Sequence, residues 1–373
     1  MKKLVLSMAV LFSAMMVMAQ SFGKASIAIV PKADIVAFSN AEKLNAASFS
    51  EKVRTLSKQI EQEEWFKKQV AEADDDFNLE KIKVAAEKLL ATIGFNKDEN
   101  FIKTCVFSLA LNDFRAQGAE PDYSKLDMAF AAELVKPIAI SQDAFASAMT
   151  EFLSSFGEDF KDEISLKPGR YGAIPTVTIE LKDEDIPVSF KKITIAFLNP
   201  QFVLIAPEAS AKAALDRAQK GSYVAADKFF TSIKDDSFVA IKSFSELSAL
   251  LNEAVGDNPA FAPLASANGF ALVANANEKM TISLKVYLPT ADAATAIKTQ
   301  IWDAQVVMML EMFKPSINEA FNGNLPLLST IKGTAKGNTF SISLDLSIED
   351  IKAFYGKLKE NAEAEKADDD DED

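Results

Sequence analysis

Three observations predict an α+β fold in two similar halves. Apolar residues alternate with polar ones along several short segments: Ile282, Leu284 and Val286 fall on one side, Thr281, Ser283 and Lys285 on the other. Other stretches carry apolar residues at helical spacing, as Val53, Leu56 and Ile60 do. The order of these segments also recurs along the chain. The recurring order, strand–helix–strand–strand–helix–strand, is that of a split βαβ (ferredoxin-like) unit, here extended by a strand and a helix. Each half is therefore expected to be an antiparallel sheet with helices on one face.

The chain has 373 residues, 49% hydrophobic and 25% charged, the profile of a packed globular protein. Residues 1–19 read as a signal peptide. Lys2 and Lys3 precede an apolar stretch, Leu4 to Val17, that is too short to span a bilayer, and Val17-Met18-Ala19 ends it with a small-residue cleavage pattern. No second run of membrane-spanning length follows, so the expected product is an exported soluble chain, periplasmic or secreted, with no integral membrane segment after cleavage.

The first half is expected over 20–221. It opens with the strand Asp34–Phe38 and a helical stretch from Ala41. A second helical stripe, Leu79, Ile82, Leu89, Leu90 and Ile93, stops at Gly94, with Asp76 as its expected N-cap. Thr104–Phe107 begins a strand, Ala116–Lys125 reads as a long hairpin loop, and Met128–Pro137 forms the next strand. Helix Asp143–Phe156, strands Thr176–Leu181 and Ile193–Ala206, and helix Ala209–Gln219 complete this half.

The second half, 222–359, repeats the scheme. Ser237–Ile241 opens it, a helical stretch starts at Ser245, and Phe270–Val273 answers to Phe107–Leu111. Met280–Pro289, helix Asp292–Phe313, strands Ser329–Ala335 and Thr339–Leu346, and helix Ile348–Leu358 follow. Gly333–Asn338 reads as a hairpin turn. Residues 360–373 hold nine carboxylates and one lysine and no apolar residue larger than Ala, so they are expected to be a disordered acidic tail.

Composition removes whole classes of chemistry. Histidine is absent and Cys105 is alone, which excludes His triads, His-ligated haem and His- or Cys-built zinc sites, and leaves no intramolecular disulfide. Cys105 is read as a core cysteine. The formal charge of −14 disfavours nucleic acid and anionic headgroups as partners. No cofactor is implied.

Ser-x-x-Lys occurs at Ser21/Lys24, Ser189/Lys192 and Ser329/Lys332, none at the helix N-terminus that a Ser–Lys acyl-transfer site needs. Paired carboxylates for hydrolysis are set by geometry, so a carboxylate- or Ser/Lys-based hydrolase stays as one alternative. With two Trp and five Tyr against 28 Phe, the aromatic balance suits packing better than sugar stacking.

The helix Ile301–Phe313 carries the sharper signal. Only Asp303, Gln305 and Glu311 are polar, so it is either buried nearly all round or offers a second apolar face to a ligand or partner. Trp302, Val306, Met309 and Phe313, with Phe152 on the matching helix of the first half, are the candidate ligand-binding residues. The layout, with Asp34-Ile35-Val36-Ala37 as its opening strand and Phe202–Leu215 as an apolar strand leading to a Lys- and Ala-bearing helix, resembles exported bacterial proteins that pair a signal peptide with two loosely similar α+β halves. That resemblance implies no catalytic residue. The expected role is a non-enzymatic binding or structural protein of the envelope or exterior, with an envelope protein as partner. The main alternative is a carrier of an apolar ligand.

Overall fold

The computed structural model describes residues 30, 32–67, 79–96, 99–112, 122–138, 141–155, 163–183, 186–221, 229–230, 237–242, 262–321 and 325–369. The signal segment 1–19, Asp76, most of the Ala116–Lys125 loop, the boundary at 222 and the helical stretch after Ser245 lie outside the described residues. Two compact units emerge, Met1–Lys43 with Gln69–Lys242, and Leu44–Lys68 with Ser243–Asp373. The helical segment after Lys43 thus groups with the second unit rather than with the half in which it lies in sequence.

In chain order the strands are β1 (Ile35–Asn40), β2 (Ile102–Ala110), β3 (Asp127–Leu134), β4 (Ile164–Tyr171), β5 (Ile174–Leu181), β6 (Lys192–Asn199), β7 (Phe202–Pro207), β8 (Ser237–Lys242), β9 (Gly269–Ala276), β10 (Met280–Tyr287), β11 (Lys332–Lys336) and β12 (Thr339–Leu346). The principal helices are α1 (Ala41–Ala46), α2 (Ser48–Ile60), α3 (Leu79–Thr92), α4 (Gln142–Ser154), α5 (Glu208–Gln219), α6 (Ala291–Ala296), α7 (Val307–Ala320) and α8 (Ile348–Asp369), with a π-helical segment, Ile297–Val306, joining α6 to α7.

The α+β class with antiparallel sheet holds. In the first unit the strand order is β8-β1-β2-β3-β7-β6-β5-β4, and in the second it is β11-β12-β10-β9. Every described pairing is antiparallel. β12 lies between β10 and β11 and runs antiparallel to both, as in a split βαβ unit, but β1 pairs directly with β2 with no strand between them, so the ferredoxin-like order of a whole half is not reproduced. After β3 the chain instead crosses to the far edge and returns by the meander β4 to β7, which turn and hairpin connections make antiparallel.

Helices cover both sides of the first sheet, not one. α3 and α4 pack on one side, where Phe145, Met149 and Phe152 meet Ile193, Ile195 and Phe197. α5 takes the other. Its Ser210 hydroxyl donates to Asp127, on the side of β3 that carries Ala129 and Ala131. Ala131 lies opposite Leu204, whereas Phe130, opposite Ile205, faces away. Both faces of β3 and β7 are therefore buried, which is why these strands are apolar at nearly every position.

Local chemistry explains most boundaries. Ser141 caps α4 by accepting from the Ala144 amide at 3.2 Å, and Gly94 at φ +88° ends α3. β4 escapes sequence reading because Lys167-Pro168-Gly169-Arg170 looks like a turn, yet Pro168 is tolerated in an edge strand that needs no outer ladder bond. β6 and β7, read as one long strand, are a hairpin turning at Pro200–Gln201.

In the second unit, Ser347 and Asp350 form a capping box at the start of α8. The Ser347 hydroxyl accepts from the Asp350 amide at 3.2 Å, and the Asp350 carboxylate accepts from the Ser347 amide at 2.8 Å. The other Asp350 oxygen accepts from the Leu327 amide at 2.7 Å, so this fully buried carboxylate ties the helix start to the turn before β11. α8 meets the segment after α2 through the Lys359–Glu63 ion pair at 2.7 Å and the Trp65–Tyr355 edge contact at 5.6 Å. Composition suggested disorder from 360, but α8 continues through Asp369. Ala, Glu and Lys dominate residues 360–367, and all are strong helix formers.

Candidate apolar docking face

The long helix of the second unit is capped by Thr290, whose hydroxyl accepts from the Ala293 amide at 3.2 Å. Its middle is wound wider than an α-helix. The Val307 amide donates to the Trp302 carbonyl, five residues back, where an α-helix would use the carbonyl four back. Side chains follow the same period: Lys298 pairs with Asp303, and the Gln305 amide donates to the Gln300 carbonyl at 3.1 Å.

This winding seats Trp302. Its indole, 5% exposed, lies among Ile297, Ile301 and Phe340, with the Phe340 ring 6.2 Å away. It lies flat on Gly333 of β11, where an added Cβ would stand 2.3 Å from the indole Cδ2. Gly333 is therefore not a turn glycine, as its sequence context suggested. It is the space the indole occupies, and the hairpin turn is confined to Gly337-Asn338. Val306 is half-buried against the same cluster.

Beyond Val306 the apolar surface turns outward. Met308 is 65% exposed, Met312 62%, Phe313 53% and Met309 46%. Leu310 and Ile317, on the opposite side of the helix, are half-buried, and Phe321 meets the Phe354 ring at 5.2 Å. Polar groups are sparse along the exposed side, the nearest pair being Glu311–Lys314 at 3.5 Å. Leu272 and Leu284, on the apolar side of the same unit's sheet, are also exposed. Exposed apolar side chains gathered on one helix face are a common mark of an interaction surface, and thioether side chains adapt to varied apolar shapes.

The five sequence candidates thus separate. Trp302 is core, Val306 is at the margin, and Met309 and Phe313 lie on the exposed face. Phe152 belongs to the first unit, buried under α4 with Phe145 and Met149. Sequence reasoning pointed to Met308 with Met309 as part of the carrier helix but did not single out Met312, which with Met308 is the most exposed of this face. Their i,i+4 spacing opposite Leu310 was the available signal.

The first unit offers an apolar recess lined by Phe107, Met128, Phe130, Phe190 and Ile205, about 270 Å³ counting its open mouth. Its enclosed part takes about one water-sized sphere, far less than an acyl chain needs. Among the described residues no group of three or more Asp, Glu, Cys or His is placed to hold a metal ion, and no helix is long and apolar enough to cross a membrane. Cys105 is buried in β2 beside Phe130 and Ala132.

No family model matches the chain, and no curated protein matches it. Among solved structures, crystal form I of TP0453 aligns over 90% of this chain and 96% of that one, at 9% identity and a TM-score of 0.34. Crystal form III of the same protein aligns over 90% and 97%, at 10% identity and a TM-score of 0.40. Likeness at this level carries no argument about role.

Proposed function

We propose that this chain is an exported bacterial protein of the envelope or exterior that acts by binding rather than catalysis, and that the exposed face of α7 is its binding element. The observation that carries the reading is the contrast within one helix: Trp302 is seated in the core, while Met308, Met309, Met312 and Phe313 stand in solvent. An apolar occupant, ligand or partner surface, would regain the hydrophobic free energy that this exposure forgoes. Export rests on the cationic start and short apolar stretch of residues 1–19.

We also read the two units as copies of one pattern. The order β2-β3-β7-β6 in one matches β9-β10-β12-β11 in the other, with a helix after the third strand of each half and β4–β5 as an addition to the first.

The test uses the chain from Gln20 onward. Titration with the apolar dye 1-anilinonaphthalene-8-sulfonate should show saturable binding that Met308→Ser with Met312→Ser weakens at least several-fold. Native mass spectrometry of protein from its own host should show retained apolar mass or a co-purifying envelope partner, lost in the same variant. Dye binding unchanged by the double substitution removes the face from the reading. Turnover of a hydrolase substrate abolished by one Asp, Glu or Ser substitution would replace binding by catalysis.

A further inference from the structure

Past residue 19 the sulfur of this chain lies in Cys105 and in Met128, Met149, Met280, Met308, Met309 and Met312. The fold sorts these side chains by access. Cys105 and Met149 are buried, and Met128 and Met280 are half-buried. The three methionines of α7 are the exposed ones. Met312 lies four residues from Met308 and three from Met309, spacings that bring Cβ atoms to about 5–6 Å on a helix surface. The accessible thioethers are thus gathered on one side of one helix.

Thioether sulfur is open to two-electron oxidants, and burial slows the encounter. The other side chains that such oxidants attack are shielded or missing: Cys105 is a buried thiol, Trp302 is enclosed, and histidine is absent. An oxidant therefore meets α7 first. In the reaction with hydrogen peroxide, a sulfur lone pair attacks one oxygen, the O–O bond breaks as the S–O bond forms, and water leaves. Sulfur gives up two electrons and the peroxide takes them. Reversal needs two electrons and two protons from a dithiol reductase: the oxygen leaves as water and the dithiol becomes a disulfide.

We propose that Met308, Met309 and Met312 form an oxidation site, and that their conversion to sulfoxides by a peroxide or hypohalous acid turns the exposed face of α7 from apolar to polar and ends its docking. The loss of docking rests on the binding role assigned above to that face; the site and its change of polarity do not. The change falls on the surface and spares the core. Leu310 and Ile317, on the opposite side of α7, and the Phe321–Phe354 ring contact hold the helix in place. A sulfoxide is polar and a strong hydrogen-bond acceptor, so an apolar occupant would have to strip water from three of them. The proposed export delivers the chain to an oxidising space.

Dilute hydrogen peroxide on the folded chain from Gln20, followed by peptide mass spectrometry, gives the order of oxidation. Met308 and Met312 should gain oxygen first, Met309 next and Met149 last, the first two at least several-fold faster than Met149. Met149 oxidised as fast as Met308 overturns the site. On hydrophobic-interaction chromatography the oxidised chain should elute earlier, with its far-ultraviolet circular dichroism unchanged. Met308→Leu with Met309→Leu and Met312→Leu keeps the face apolar and removes its sulfur, so the retention of that variant should not move under the same treatment. Equal shifts in both chains, or earlier elution with loss of helix signal, overturn the change of surface. The oxidised chain should bind 1-anilinonaphthalene-8-sulfonate at least roughly tenfold more weakly, and a methionine sulfoxide reductase with dithiothreitol should restore binding. Equal dye binding before and after oxidation overturns the loss of docking. Dye that never binds the reduced chain removes the docking role itself, while the mass and retention measurements still decide the oxidation site.

Discussion

Replacing Gly333 by alanine puts a methyl group where the Trp302 indole already lies. The new Cβ would stand 2.3, 2.4 and 2.5 Å from three indole carbons, against an optimal separation of about 3.5–4.0 Å. Ring and strand must part by more than an ångström, but the indole is enclosed by Ile297, Ile301 and Phe340, and Gly333 is held in register opposite Ile342. Overpacking of this kind costs about 1–3 kcal/mol. Loss of glycine's backbone freedom returns roughly 0.5–1 kcal/mol, so a net loss near 1–2 kcal/mol is expected. Urea unfolding should be followed by Trp302 emission in a Trp65→Phe background, so that the signal comes from the indole whose packing is changed and from the second unit alone. Trp302→Leu, followed by far-ultraviolet circular dichroism because it removes the emission probe, should cost more alone, yet cost no further when Gly333→Ala is added, since the methyl then has room. An unchanged or raised midpoint for Gly333→Ala, with unchanged emission, would refute the packing argument.

Other outcomes follow from the same structure. Asp350→Ala should cost about 1–3 kcal/mol for each orphaned amide, Leu327 and Ser347, in urea unfolding, whereas the exposed Met312→Glu should shift stability by no more than about 0.5 kcal/mol while abolishing dye binding. Glu180, held by Lys167 and by Lys192 at 3.6 Å, has its carboxyl below the ordinary value of 4.5. Its contribution is therefore present above that pH and lost as pH falls through the lowered value, and Glu180→Gln should flatten the acid limb of a stability–pH curve. Burial pushes the Tyr287 hydroxyl above its ordinary value of 10, so the neutral form is favoured in the fold, and stability should fall as pH rises beyond 10, less so in Tyr287→Phe.

Short-range pattern made much of the fold legible. Alternation at Thr281–Val286 and Thr339–Leu346 located β10 and β12, and helical spacing located α3, α4 and α5, because these periods are properties of the local backbone. The misses have a common cause. Pro168 and Gly169 disfavour a strand interior, so β4 goes unread until it is known to lie at the sheet edge. The helix of residues 360–369 was hidden by an acidic composition whose Ala and Glu content favours helix.

The sequence by itself determined the class of elements, their order, and the exclusion of histidine and thiolate chemistry, all of which depend on residue identity and near neighbours alone. Strand neighbours, the two covered faces of the first sheet and the role of Gly333 were decided by tertiary structure, because each depends on residues far apart in sequence meeting in space. So was the exposed apolar face: Trp302 and Met312 belong to one apolar stretch, and only the packing of the folded chain shows one seated on β11 and the other in solvent.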